Sequence, residues 1–258
     1  MPTAAMNTYR VRRILAAVRS GNSLPVIADT PAGPFIVKLR GAAHGTAALV
    51  AEIVVAELAE AIGLGVPARA LIEFDNDLVS DDRNGELARL LAASRGLNLG
   101  FQWLTDARDL RASDVEEDVR PDTATRILWL DWLVMNPDRT DANPNILRSH
   151  GDVWLIDHGS ALGFQYRWDV VTEESPLRPA RLNAHVFRRQ GSALASADAL
   201  LTPLVTRARL EKALDLVPDD FLRAMRPDDD TPARLARRRQ AYVAFLWKRL
   251  RAPRSWTT

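Results

Sequence analysis

The chain has 258 residues, a net charge of +1, no cysteine and 47% apolar residues. That is enough apolar side chain for one large domain or two modest lobes. The totals exclude disulfides, thiolate metal sites and thiol nucleophiles, and they give no basic field of the kind that marks a nucleic-acid binder. No apolar run approaches the ~20 residues that cross a bilayer, and MPTAAMNTYRVRR lacks the apolar segment of a signal peptide, so the sequence reads as cytoplasmic, without membrane contact.

Val11, Ile14, Leu15 and Val18 fall at helical spacing and predict a short opening helix over Tyr9 to Val18, broken at Gly21-Asn22-Ser23. Leu24 to Ala28 and Phe35 to Leu39 are short apolar runs joined by Asp29-Thr30-Pro31-Ala32-Gly33, the pattern of a β-hairpin. Thr46 is placed to cap a helix over Ala47 to Ile62 that is apolar on most sides and therefore buried. Ala70 to Phe74 is a strand, Asp75 to Gly85 a polar turn region, Glu86 to Ala93 a helical patch, and Gly96 to Leu104 a strand at the edge of a cleft.

The charged stretch Thr105 to Pro121 suits a lobe boundary, dividing a β-rich N-lobe, residues 1–110, from a C-lobe, residues 111–258. Beyond it, Pro121-Asp122-Thr123 opens the apolar helix Ala124 to Met135. Gly163 to Arg181 is irregular, and helices follow over Ser196 to Leu201, Arg207 to Leu216, Asp219 to Met225 and Pro232 to Leu250. The last carries a packing stripe of Tyr242, Phe245, Leu246 and Leu250, with Arg234, Arg237, Arg238 and Arg239 as a solvated face.

Two residues in the first half contradict their surroundings. Only Lys38, Lys212 and Lys248 among the 34 basic residues are lysine, and Lys38 lies inside an apolar strand, where a compact ammonium fits better than a guanidinium fork. Glu52 sits in the apolar helix with Ala48, Leu49, Val55 and Ala56 around it, and a buried carboxylate needs a partner from elsewhere. Lys38 is the nearest candidate; a solvent-facing Glu52 and a snorkelling Lys38 are the simpler alternative.

The chemistry concentrates between Trp129 and Ala161. Pairing Ile146-Leu147-Arg148 with Val153-Trp154-Leu155 around Ser149-His150-Gly151-Asp152 sets Arg148 opposite Val153, Ile146 opposite Leu155 and Asn145 opposite Ile156. Asn145 and Asp157 then share one end, to which Asp138 returns, giving three oxygen-bearing side chains of the kind a hard cation such as magnesium takes. The histidines His44, His150, His158 and His185 are scattered, and no Gly-x-Ser-x-Gly elbow or His-Glu-x-x-His pair is present.

An embedded lysine, a glutamate on the next helix and a downstream Asp, Asn and Asp make up the parts of a protein-kinase-like fold. Phe35-Ile36-Val37-Lys38, the helix around Glu52 followed by Gly63-Leu64-Gly65-Val66-Pro67, Asn136-Pro137-Asp138-Arg139-Thr140, Asn145-Ile146-Leu147 and Leu155-Ile156-Asp157-His158-Gly159 resemble the HipA-like kinase family in a compact, single-module form. The resemblance implies an α+β, bilobal fold and an ATP- and Mg2+-dependent serine/threonine kinase. In it Lys38, positioned by Glu52, would hold the ATP phosphates, Asp138 would orient or deprotonate the acceptor hydroxyl, and Asn145 and Asp157 would bind magnesium. It also implies an antitoxin-like regulator as partner. A small-molecule kinase and a nucleotide-binding pseudokinase are the alternatives.

The chain departs from the pattern in four ways. No histidine precedes Asp138. Asn145 is two residues farther from Asp138 than usual while Asn143 stands at the usual distance, leaving the metal ligand open between them. His158 replaces a common phenylalanine. There is no Gly-x-Gly-x-x-Gly loop, so either Asp29 to Gly33 or Gly41 to Gly45 must cover the phosphates.

Overall fold

A curled six-stranded sheet occupies the first hundred residues of the computed structural model, which describes residues 5–18, 24–75, 85–225 and 231–254. Its strands are β1 (Thr8–Arg10), β2 (Arg13–Ala17), β3 (Val26–Thr30), β4 (Gly33–Lys38), β5 (Arg69–Phe74) and β6 (Gly96–Gln102), ordered β1-β5-β6-β4-β3-β2. All neighbours are antiparallel except β1 and β5.

Alternation along β4 decides which face each side chain takes. Phe35 and Val37 are buried with Val26, Ala28, Ile72 and Leu91 in a smaller core beneath α2 (Glu86–Ala93). Lys38 has the opposite parity. It pairs with Leu99, and Leu99 belongs with Leu71 and Phe101 to the main core, which contains the apolar residues of α1 (Gly45–Ala61). A lysine one residue out of phase with Val37 must therefore point toward α1.

Three expectations change here. Residues 9–18 form strands instead of a helix: β2 closes the free edge of β3 with a register shift between Ile14 and Ala16, and β1 pairs with β5, so sheet pairing overrides a weak helical spacing. The strand expected over Gly96 to Leu104 does form, as β6, bonded on both sides to β5 and β4, and its Leu99 pairs with Lys38. Thr46 does not cap α1; His44 takes the N-cap position, and the Thr46 hydroxyl donates to the Phe221 carbonyl at 2.9 Å. Finally, Arg238 and Arg239 are not a solvated face: Arg238 is buried and donates to Leu222 O, and Arg239 donates to Val217 O and Leu214 O. The helix break at Gly21-Asn22-Ser23 and most of the 75–85 turn region lie outside the described residues.

The C-terminal part is helical. Helix α3 (Ala112–Asp118) leads to α4 (Pro121–Val134), which opens with Pro121 at its first position and ends at a left-handed Met135. Short 3-10 turns follow over residues 163–193, then α5 (Leu194–Leu201), α6 (Arg207–Asp215), α7 (Asp219–Met225) and α8 (Pro232–Arg251), with Tyr242, Phe245, Leu246 and Leu250 buried. Helix α1 packs against α4, α6 and α7, so the main core runs without interruption from the sheet into the helices.

Between α4 and the 3-10 turns lies the hairpin β8 (Ile146–Ser149) and β9 (Asp152–Leu155), extended by β7 (Arg108–Asp109). Its register is Arg148 to Val153 and Ile146 to Leu155, and Ile156 N donates to Asn145 O at 3.1 Å, as the turn sequence predicts. His150 and Gly151 both have positive φ, the backbone of a type I′ turn. Gly65 anchors the hairpin to the loop after α1: its carbonyl accepts from Leu155 N at 2.8 Å, and a Cβ there would stand 2.8 Å from Val153 O.

Candidate active site

Strand β4, helix α1 and the residue following the β8–β9 hairpin bring three charges together. Lys38 Nζ donates to Glu52 Oε1 and, at 2.6 Å, to Asp157 Oδ1. Glu52 is wholly buried, Lys38 nearly so, and Asp157 about half exposed. This settles the choice posed by the sequence: Glu52 does not face water and Lys38 does not snorkel.

One ammonium serving two carboxylates explains the shifts at all three groups. Burial alone pushes the Lys38 ammonium toward neutrality, but the Glu52 and Asp157 charges outweigh it and hold its pKa above the ordinary value. For Asp157 burial is likewise outweighed by Lys38, and its pKa falls. Burial wins at Glu52, whose pKa rises despite Lys38 and a bond from the His158 backbone N–H. Its second oxygen, Oε2, is buried without a partner.

The backbone permits this crowding at Gly159, where a Cβ would stand 3.2 Å from Ala48 Cβ and 3.3 Å from Glu52 Oε1. Both Asn145 and Asp157 adopt positive φ, a conformation that asparagine and aspartate tolerate better than most side chains.

Asp138 approaches from the loop after α4. Its Oδ2 lies 3.5 Å from Asn145 Nδ2 and 3.5 Å from Ser160 Oγ. Lys38, Glu52, Asp138, Asn143, Asp157 and Ser160 line one cavity of about 460 Å³. The loop Gly41 to Gly45 forms part of its wall through residues 42–45, whereas Asp29 to Gly33 is the tight β3–β4 turn and does not line it. The two asparagines differ in setting: Asn143 is exposed on the cavity wall, and Asn145 is buried beneath it with its amide toward Asp138.

The loop is shaped from below by a network that sequence reasoning missed. Arg139 and Asp131 are fully buried and joined at 2.6 Å. Arg139 also donates to Pro144 O at 3.1 Å and Asn145 O at 2.7 Å, fixing the path of the chain into β8. Asp131 accepts from Asn136 Nδ2 at 3.0 Å and His185 Nε2 at 2.9 Å, while Asn136 Oδ1 accepts from Asp138 N. His185 Nδ1 accepts from Phe187 N, which fixes the ring as a neutral donor to Asp131. Burial would raise the Asp131 pKa, but Arg139 and His185 hold it well below the carboxylate range. An aspartate inside the apolar run Trp129-Leu130-Asp131-Trp132 was the available signal, the same that singled out Glu52.

His158 packs behind the site, fully buried. Burial first, and then Arg139, push its pKa down to about 3, so the ring is neutral and its Nδ1 faces Arg139 Nη2 at 3.4 Å. This is a packed histidine, occupying the place of the phenylalanine common in kinases.

Oxygen donors dominate the cavity. Among the described residues no three His, Cys, Asp or Glu side chains come together as a metal cage. Any divalent cation would meet carboxylate and amide oxygens here, Asp157 and Asn143 among them, a donor chemistry that fits magnesium and does not fit zinc. Among the described residues no helix is long and apolar enough to cross a membrane.

No curated protein sequence matches the chain. Among solved structures, that of a Helicobacter pylori proinflammatory kinase, CtkA, superposes with a TM-score of 0.52 at 13% identity, over 95% of this chain and 98% of that one; the likeness is one of fold. A family model described as HipA-like kinase matches residues 11–228, the greater part of the sequence and all of the cavity residues named above. With its mixed α+β architecture and its lysine, glutamate and aspartates in one cleft, the chain belongs to the HipA-like kinase family of kinase-type phosphotransferases.

Proposed function

We propose that the protein transfers the γ-phosphate of ATP, with magnesium, to a serine or threonine hydroxyl of a protein acceptor in the cytoplasm. The observation that carries this reading is Lys38, held between Glu52 and Asp157 at the wall of a cavity that also contains Asp138. Residues 1–110 would bind nucleotide, and residues 111–258 would supply the catalytic loop, the metal ligands and the helical tail.

Phosphoryl transfer needs charge neutralisation and in-line positioning more than covalent help. Glu52 fixes the Lys38 ammonium, which binds the α- and β-phosphates. Asp138 orients the acceptor hydroxyl and takes its proton. Asp157 and Asn145 would hold magnesium, which supplies Lewis-acid stabilisation of the charge on the transferring group when bound. Asn145 is preferred to Asn143 because its amide nitrogen is directed at Asp138, leaving the side-chain oxygen for the cation. An antitoxin-like regulator belongs to this reading through the family alone.

The test is incubation of the purified protein with radiolabelled ATP and magnesium, alone and with cell lysate, beside Asp138→Ala and Asp157→Ala. The wild type labels an acceptor and both variants lose the label. Label that survives either substitution sinks the assignment, and magnesium-dependent ATP binding without transfer makes the protein a pseudokinase. Transfer to metabolites alone identifies a small-molecule kinase.

A further inference from the structure

A second cavity, of about 550 Å³, lies among the end of α4, the stretch from Pro176 to Asn183 and the end of α8, and it shares no residue with the catalytic cleft. Leu128, Trp132, Leu182, Leu194 and Pro253 give it apolar walls. Four arginines complete it, Arg178, Arg188, Arg249 and Arg254, and no aspartate or glutamate is among the described residues that line it. A pocket of this size holds a small organic molecule.

The fold brings these cations together and leaves part of their charge unanswered. Pro176 and Pro179 each fix φ and lack an N–H, so their stretch makes one 3-10 turn, Ser175–Leu177, and its carbonyls accept from a side chain. Arg249, almost wholly buried, donates to Pro176 O at 2.9 Å, to Arg178 O at 2.7 Å and to Trp132 O at the open C-terminal end of α4. Carbonyl dipoles offset a guanidinium charge less completely than a carboxylate does. Burial first, and then the Arg254 charge, push the Arg249 pKa down to about 10, so it stays charged at neutral pH. Arg249 and Arg254 also lie against one indole, 4.6 and 4.8 Å from the Trp132 ring centroid. Arg254 pairs with Asp198 and Arg188 with Asp141. Arg178 is exposed at the cavity, and among the described residues neither it nor Arg249 has a carboxylate partner.

We propose that this cavity binds a small organic anion, with a carboxylate or phosphate head and an apolar body, and that Arg178 takes the head. The planar fork of a guanidinium donates two parallel bonds to either kind of head. Arg249, in the floor, adds its charge without needing contact, because apolar walls screen it less than water does. The apolar body lies against Trp132, Leu128 and Leu182. The inference stands apart from the kinase reading, since neither Lys38 nor Asp138 takes part in it.

The experiment titrates the full chain by isothermal calorimetry, at low and high salt, with 1-naphthyl phosphate, 1-naphthoate, inorganic phosphate and the neutral 1-naphthalenemethanol. Three variants are run beside it, each checked by thermal melting: Arg178→Glu, Ala180→Trp, which fills the cavity, and Arg95→Glu, the same charge change at an exposed residue outside the lining. The expected result is one equivalent of naphthyl anion bound per chain, more weakly as salt rises. The alcohol and inorganic phosphate, each lacking one half of the ligand, should bind about tenfold more weakly or worse, and Arg178→Glu should cost the anion about tenfold or more. Ala180→Trp also weakens binding, and Arg95→Glu leaves it as it was. Whichever naphthyl anion binds tighter identifies the head.

Binding of neither anion overturns the proposal, as does an alcohol that binds as well as the anions. Anion binding that survives Arg178→Glu, or that falls equally in Arg95→Glu, overturns the role of Arg178; should Ala180→Trp not fold, the Arg178 and Arg95 variants decide alone. None of these measurements involves ATP, so their failure leaves the kinase reading standing.

Discussion

Removing the charge of Asp131 tests whether the loop carrying Asp138 is built on the buried Arg139 pair. Both side chains are fully buried, and the carboxylate accepts from Arg139, His185 and Asn136. Asp131→Asn leaves the Arg139 guanidinium without a counter-charge and turns an amide N–H toward a donor. Breaking a buried pair from one side costs roughly 3–5 kcal/mol, and Arg139→Met should cost a similar amount by stranding the carboxylate. In the double variant neither charge is stranded, so its cost should fall short of the sum of the singles by about 2–3 kcal/mol.

Acid supplies a second arm. The Asp131 pKa is depressed in the folded state, so the unfolded chain takes up the proton first. The stability from this carboxylate is complete above its ordinary pKa of about 3.9 and is lost as pH falls below it. The gap between wild type and Asp131→Asn should therefore be full at pH 7 and narrow below about pH 4. Urea unfolding at several pH values measures both arms. Additivity within about 0.5 kcal/mol, or a gap indifferent to acid, would refute the reasoning.

Three further outcomes are expected. Glu52→Gln frees the Lys38 ammonium to follow Asp157 alone, so transfer should fall by about tenfold or more while the protein stays folded; steady-state kinetics at saturating ATP read this, and an unchanged kcat removes Glu52 from the positioning of Lys38. Thr46→Val deletes the hydroxyl that ties α1 to α7, costing about 0.5–1.5 kcal/mol in denaturant unfolding; a neutral result means the bond contributes nothing. Gly65→Ala drives a methyl against Val153 O and should cost about 1–3 kcal/mol by displacing the β8–β9 hairpin, with transfer falling in step; a lower melting temperature without loss of transfer would uncouple the hairpin from the site.

Much of the site was legible because its residues are expensive where they stand. A lysine in an apolar strand and a glutamate in an apolar helix each require a partner, and the period-two alternation of β4 turns Lys38 toward the helix that carries Glu52. The hairpin register was equally readable, since a His150-Gly151 turn with positive φ admits one pairing and places Asn145 and Asp157 at one end. These are local rules, or rules of charge burial that hold in any fold.

Tertiary structure alone decided the rest. The Val11 to Val18 pattern became two strands because free edges of β3 and β5 were there to be paired, which no spacing within the segment reveals. The Arg238 and Arg239 face was covered because α7 and the turn before it return against α8 and offer the Leu222 and Val217 carbonyls as acceptors. Asp131, Arg139 and His185 are separated by up to 54 residues, and they form one network only when the chain among the 3-10 turns folds back under the loop that carries Asp138. Local periodicity and the cost of burying charge were written in the sequence, but which distant group answers each buried charge depends on how the elements pack.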